Sequence, residues 1–548
     1  MRATGKSMRL GGGLARLGLC VVAAHAIAGP ARAGSEPARP SKPDAVAIGS
    51  EIFNREWLPD DPRGHGGDGL GPAFNDTSCV ACHNAGGGGG GGPVGKNIDI
   101  LSAARNNASF MAVTPPAPQP EEPADPAAGL VAAAPARAGA ACPPQSASQI
   151  EPLIALHAGF KAGRTVVLHK FGTDPGYDAF RARFLGRDSS ATRAVIGVDF
   201  AMPTQPGGGS IQSIDLLTVN RFNPRQANRD ARPDAGQVRL ELVKAAVAAN
   251  HPGAGGPINV GPFLVSRSQR NPTSLFGLGL VDAIPESAIE AMARKQAGET
   301  PGLAGRVARV KDGRVGRLGW KGQTANTEDF VLNACAVEIG LEVPGHHQAM
   351  SPMAPRHKAS GLDLTGEECA SLVTYVRSLP RPVERASTGA EAKYLAAGKA
   401  AFASIGCASC HTSRLGQVEG LYSDLLIHEM GDELADSGSY NGSDDGSDEP
   451  LVPLADNNGL KPTNASPSEP KSARKKEWRT PPLWGFRDSA PYLHDGRAQT
   501  LEQAVALHGG QGAASAQRYF ALSPKEKAQV EAFLKSLVAP NVGGREAH

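Results

Sequence analysis

Apolar and polar positions alternate along this chain in a pattern that occurs twice. Gly49 to Phe53 and Gly398 to Phe402 share a Gly-x-x-x-Phe spacing on segments whose periodicity predicts helices. The second of these helices is expected to start at a capping box, Thr388 with Glu391, whose hydroxyl and carboxylate would each satisfy a free backbone N–H. Two further segments, 364–379 and 522–537, align residue for residue. Each opens with the same capping pattern, Thr365 with Glu368 and Ser523 with Glu526. Apolar stripes follow, Leu372, Val373, Val376 and Leu379 in one and Val530, Phe533, Leu534 and Leu537 in the other, and Pro380 and Pro540 stop them. Cys369 falls on the same face as Leu372 and Val376, which assigns it to core filling. The chain therefore reads as a duplicated unit, an opening and a closing helix each time, divided in the Pro-rich link 379–386.

Between each opening and closing helix stands a Cys-x-x-Cys-His pentapeptide, at Cys79-Val80-Ala81-Cys82-His83 and at Cys407-Ala408-Ser409-Cys410-His411. The chemistry explains the spacing. Two thiols on one helical turn add to the two vinyl groups of a haem, and the adjacent imidazole turns under the porphyrin as the fifth iron ligand. Two covalently bound haem c groups follow, attached at Cys79, Cys82, Cys407 and Cys410, with His83 and His411 as proximal ligands. A zinc ribbon or a redox dithiol also uses Cys-x-x-Cys, but the first wants a second Cys or His pair nearby and the second a βαβ surround, and the sequence offers neither. The expected fold is mainly α: two cytochrome c-like haem domains, 34–383 and 384–548, the first with large irregular insertions. Aromatic residues make up only 5% of the chain, so the porphyrin face is expected to supply core that they do not.

The first unit is much the larger: about 280 residues separate His83 from its closing helix, against about 110 after His411. Two stretches inside the units read as disordered, 86–141 with a seven-glycine run and a Pro/Ala tract, and 432–476 with an acidic Ser/Gly/Asp run. The 158–285 region is the least legible; Thr165-Val166-Val167-Leu168 fits a strand or a buried helix turn equally. Residues 1–33 read as an export signal: Arg2, Lys6, Arg9 and Arg16 precede an apolar run, and Ala31-Arg32-Ala33 is a cleavage site. The run is too short to span a bilayer and no later segment is apolar enough, so a periplasmic or otherwise exported protein without an integral membrane segment is expected. Of the eight cysteines, Cys20 lies in that signal, and Cys142, Cys335 and Cys369 stand outside the motifs without a pairing the sequence can assign. With 56 basic against 54 acidic residues the chain has no large basic field, which argues against a nucleic-acid partner.

Phe53-Asn54-Arg55-Glu56-Trp57, Asn75-Asp76-Thr77-Ser78, Gly316-Arg317-Leu318-Gly319-Trp320-Lys321-Gly322-Gln323 and Thr480-Pro481-Pro482-Leu483-Trp484-Gly485 together resemble bacterial di-haem oxidoreductases, some of which are labelled thiol oxidoreductases. More distantly, Ala490-Pro491-Tyr492-Leu493-His494-Asp495-Gly496-Arg497 with Thr500-Leu501-Glu502 resembles the second half of di-haem cytochrome c peroxidases and of the di-haem protein that matures methylamine dehydrogenase. In the peroxidases a methionine fourteen residues after the motif histidine ligates the haem where electrons enter. Fourteen residues after His494 this chain has His508, so the resemblance implies a His411/His508 pair on the second iron; the plainer reading is a surface histidine before Gly509-Gly510. His494 itself would reach a propionate or cap a turn, the structural role being favoured. Trp320 is similar in position to the tryptophan between the peroxidase haems, or else fills core.

No methionine or histidine stands at a family ligand position for the first haem, which implies an open iron there. The peroxidases' distal glutamate then maps by order alone onto Glu338, whose alternative is an ordinary charged helix face. His346, His347, Met350 and Met353 form a second group that could instead supply a sixth ligand. The leading expectation is a peroxidase-like di-haem oxidoreductase: electrons from a small cytochrome or similar carrier enter at the second haem, and a small substrate, peroxide among the candidates, reacts at the first. The alternative is a di-haem electron-transfer protein with no substrate chemistry. Thiol oxidation in the literal sense rests on a label and on no residue.

Overall fold

Four helices repeat one crossing. Helix α1 (Lys42–Asn54) packs on α2 (Gly366–Ser378), and α3 (Gly389–Ser404) packs on α4 (Pro524–Lys535). The Gly-x-x-x-Phe spacing is the reason the two pairs look alike. A Cβ on Gly49 would lie 2.1 Å from the Ser371 carbonyl oxygen, and one on Gly398 would lie 1.9 Å from that of Gln529, so only glycine lets the backbones approach. Four residues on, Phe53 meets Tyr375 at 5.3 Å between ring centres and Phe402 meets Phe533 at 5.6 Å. Phe53, Leu372 and Phe533 are fully buried, each stabilising the crossing by roughly 1.5–3 kcal/mol.

This computed structural model describes residues 42–106, 150–161, 163–185, 234–250, 257–299, 302–438, 440 and 473–540. The expected export signal, Cys20 and Cys142 lie outside them. Among the described residues no helix is long and apolar enough to cross a membrane.

The closing helices start as expected. Thr365 accepts from the Glu368 N–H while the Glu368 carboxylate accepts from the Thr365 N–H, and Ser523 and Glu526 repeat the exchange. The box expected at Thr388 and Glu391 does not form. Arg385 takes the Glu391 carboxylate instead, at 2.5 Å, because a charge-assisted bond outcompetes a neutral N–H. The Pro-rich link is also held: Val383–Glu384 pairs antiparallel with Leu537–Val538.

Strands β1 (Ile98–Arg105), β2 (Thr165–Leu168), β3 (Ile258–Val260) and β4 (Phe263–Arg270) form one antiparallel sheet in the order β2-β1-β4-β3. This corrects the reading of 86–141 as disordered from its start. Residues 86–106 are ordered, because Leu101 and Ala103 bury against Leu153, Phe160, Tyr177 and Phe180. The glycine run ahead of β1 folds back on itself where side chains would clash; a Cβ on Gly90 would meet the Ala85 carbonyl oxygen at 1.8 Å. The remainder of that stretch, 107–141, lies outside the described residues. Thr165–Leu168 resolves as a strand, and the 158–285 region also supplies helix Ala235–Asn250, which packs on Leu501–Ala506 and Ala513–Ala521 with Arg239 clamped to Glu502.

The 432–476 reading is corrected at both ends as well. Residues 432–438 and 473–476 are ordered, and Asp436 anchors the first of them, bonded by Arg270 at 2.7 Å and by His494 at 3.0 Å. Residues 439 and 441–472, which hold the acidic run, lie outside the described residues. Burial pushes the Asp436 carboxyl up, but the Arg270 charge and the His494 bond together hold it well below its ordinary value of 3.8. A depressed carboxylate contributes stability that is present above the unfolded value and is lost as pH falls below it. Asp436→Asn is therefore expected to destabilise by about 3–5 kcal/mol near neutral pH, since it leaves Arg270 buried without its partner, with the difference shrinking progressively below about pH 4 and becoming much smaller only near about pH 2. Urea unfolding at the two pH values checks this; an equal loss at both would remove the ionic explanation.

The largest core spans the sequence boundary at 383. Leu415, Leu421, Leu425 and Trp484 cluster with Ile52, Phe53 and Leu372, while Phe402, Tyr519, Phe533 and Leu534 form a second core. The described residues, all from Lys42 onward, accordingly group as a single unit.

Candidate functional site

Both pentapeptides make the same tight turn. The His83 N–H donates to the Cys79 carbonyl at 3.0 Å and the His411 N–H to that of Cys407 at 2.9 Å. Ser78 caps the first turn and a left-handed Gly406 starts the second. Each histidine also has its Nδ1 against a carbonyl, Gly90 at 3.2 Å for His83 and Tyr422 at 3.0 Å for His411. That bond assigns the proton to Nδ1 and leaves the Nε2 lone pair for a metal. Burial favours the neutral ring, pulling both down to about 4.

Each motif opens on a cavity. The first, about 130 Å³, is lined by Cys79, Cys82, His83, Trp320, Glu338 and Tyr440. The second, about 640 Å³, is lined by Cys407, Cys410, His411, His508, His494 and Trp320 among others. Trp320 thus faces both, together with Asn271, Pro272, Thr273, Gly319 and Phe330, and its indole N–H donates to the Asn271 carbonyl at 2.8 Å.

Glu338 is not a charged helix face. It lies on a π-helical turn, Cys335–Ile339, that follows Thr327–Ala334, and Asn75, four residues before the first motif, binds it at both ends. The Asn75 amide donates to a carboxylate oxygen at 2.7 Å and the Asn75 N–H to the Glu338 carbonyl at 2.7 Å, while the Asn75 side-chain oxygen accepts from the Lys170 N–H. Burial pushes the carboxyl up, opposed by hydrogen bonds from Tyr440 and Asn75. Cys335 lines the same cavity, and it and Cys369 are both buried free thiols.

His508 lies inside the second cavity, not at the surface. Its Nδ1 sits 2.7 Å from the Ala504 carbonyl, one turn back on Leu501–Ala506, so it too presents Nε2. His494 is buried: it stacks on Trp478 at 3.8 Å between ring centres and bonds Asp436, which fits the structural role favoured for it. His346, His347, Met350 and Met353 line neither cavity; His347 bonds Glu342, and the methionines are exposed.

A third group went unnoticed in the sequence. Cys410, Asp424 and His428 stand together, the one such set among the described residues that could hold a metal ion. His428 Nε2 faces the Asp424 carboxylate at 2.9 Å, and Nδ1 faces the Gln511 side-chain oxygen at 2.7 Å, whose orientation is set by the Gln511 amide donating to the Ala304 carbonyl. Two oxygen acceptors require both ring nitrogens protonated, and Asp424 raises His428 against the opposing effect of burial. An imidazolium has no lone pair to offer, so this is an ion pair beside Cys410 and not a metal site. No spacing rule could have found it, because Asp424 and His428 belong to no motif.

The paired thiols and the neutral histidines with Nε2 free fit a haem at each motif, and the second opens on the larger cavity. A family model described as "Di-haem oxidoreductase, putative peroxidase" matches residues 264–462 and 465–537. The chain belongs to this di-haem oxidoreductase family, and it is a peroxidase-like redox enzyme with haem cofactors. The first pentapeptide lies before the matched residues. Among solved structures, the chain is similar to a hydrazine synthase chain of Kuenenia stuttgartiensis pressurised with xenon, at 20% identity and a TM-score of 0.22, over 45% of this chain and 80% of that one. It is also similar to a MauG-like protein associated with microbial copper homeostasis, at 18% identity and a TM-score of 0.23, over 47% of this chain and 90% of that one. No curated protein matches.

Proposed function

We propose that this chain is an exported, periplasmic enzyme that reduces peroxide at a haem c held by Cys79, Cys82 and His83, using electrons received at a second haem c held by Cys407, Cys410, His411 and His508. The carrying observation is an asymmetry between the cavities. Among the described residues, the first has His83 as its one histidine and no methionine, but it contains a buried carboxyl; the second has a further histidine with Nε2 free. His428 and His494 also line the second cavity, but oxygen atoms occupy both ring nitrogens of His428 and the Nε2 of His494.

A haem bound there would supply iron redox chemistry, two electrons for each peroxide reduced. Glu338 would take a proton from one oxygen of a peroxide held in this cavity and return it to the other, which departs as water; with those same two electrons and two further protons the remaining oxygen becomes a second water. Its raised carboxyl pKa suits both halves of that transfer, and Asn75 aims it. Trp320, shared by the two cavities, lies on the route for electrons. A small cytochrome is the donor that fits.

The test is the spectrum of the oxidised protein. One high-spin and one low-spin ferric haem are expected, with cyanide binding one iron and a reduced small cytochrome sustaining peroxide turnover. His508→Ala should convert the second haem to high spin. Two low-spin haems with no turnover in the half-reduced state would leave the electron carrier as the surviving reading.

A further inference from the structure

Arg479 is a buried cation with no acid of its own. It is 6% exposed and lines the second cavity. Its Nε donates to the Gly319 carbonyl at 2.7 Å and its Nη1 to the Thr480 carbonyl at 3.1 Å. Among the described residues Nη2 makes no hydrogen bond, and no carboxylate lies within ion-pair distance of the guanidinium. Asp424, the acid whose charge reaches it, is already bonded by His428, by the Gln296 amide and by the Leu426 N–H. A guanidinium kept this far from water is costly unless an anion faces it.

The ligand chemistry supplies one. A haem joined through its vinyl groups at Cys407 and Cys410 would bring two propionates on the opposite edge of its ring, anions of the kind this cation lacks. We propose that Arg479 binds a propionate of the second haem, an assignment that rests on haem being attached at that motif. Arg479 also holds the loop carrying Trp320, since its backbone N–H donates to the Trp320 carbonyl at 3.0 Å while its side chain grips Gly319. The same residue then ties the second haem to the tryptophan facing both cavities, and it is a positioning residue for that tryptophan.

Arg479→Gln and Arg479→Lys test this in the full-length protein with both haems confirmed by pyridine haemochrome. The propionate bending band in the resonance Raman spectrum of the reduced protein should shift in the glutamine variant. Its second-haem potential should move negative, because a nearby cation disfavours the ferric charge. Lysine should restore the potential but not the band, having the charge without the planar fork. A band and a potential both unmoved in Arg479→Gln would overturn the assignment. Neither readout depends on peroxide turnover, so failure here is separable from failure of the peroxidase reading; a protein lacking the second haem would instead refute both at their root.

Discussion

A chain carrying Cys407→Ala with Cys410→Ala is expected to hold one haem instead of two and to lose the packing of its second half. The magnitude follows from the cavity. The second motif opens on about 640 Å³ lined in part by Phe402, Phe486 and Leu534 of the second core, so losing the haem there exposes that core to water. The first cavity is far smaller, about 130 Å³. Cys79→Ala with Cys82→Ala should therefore be the milder pair: it loses one haem but keeps most of its helix signal. Pyridine haemochrome counts the haems and far-UV circular dichroism follows α3 and α4. Two haems retained in either variant would refute attachment through sulfur, and equal melting in the two would refute the volume argument.

Glu338→Gln should lower kcat/KM for peroxide by about 10²–10⁴-fold with both haems and the second-haem spectrum intact. Glutamine keeps the shape and the Asn75 contact but cannot shuttle a proton. The pH profile carries a second signature. The carboxyl works from its ionised form, and burial has raised it above the ordinary 4.5, so the rate should fall as pH drops through that raised value, and this limb should vanish in the variant. Asn75→Ala should lose less, because it loosens the carboxylate without removing it. Turnover within about threefold of the parent in Glu338→Gln would eliminate the distal acid.

The candidate site was legible wherever the chemistry is local. A Cys-x-x-Cys-His turn sets its own geometry, so His83 closes on Cys79 and His411 on Cys407 in the tight turn that the spacing implied. The Gly-x-x-x-Phe repeat was readable too, and the crossings explain it: Gly49 and Gly398 are where two backbones touch. Glu338 was placed by order alone, with nothing nearby in sequence to separate a distal acid from a surface charge; its partner Asn75 stands 263 residues away. The irregular stretches misled for a related reason. Glycine-rich and acidic composition reads as disorder when only neighbours are considered, yet 86–106 and 432–438 are ordered by distant groups, the β2 and β4 strands for one and Arg270 for the other.

By itself, then, the amino-acid sequence determined which residues could carry haem and which helices would pair, since both are written in spacings of a few residues: vinyl-to-thiol reach, the helical turn, the capping box. Only the tertiary structure decided what faces the cavities. Glu338, Trp320, His508 and Arg479 converge on two cavities from segments far apart along the chain. That convergence is set by long-range packing of the shared core, the inserted sheet and the buried ion pairs, and a linear pattern has no term for contacts of that range.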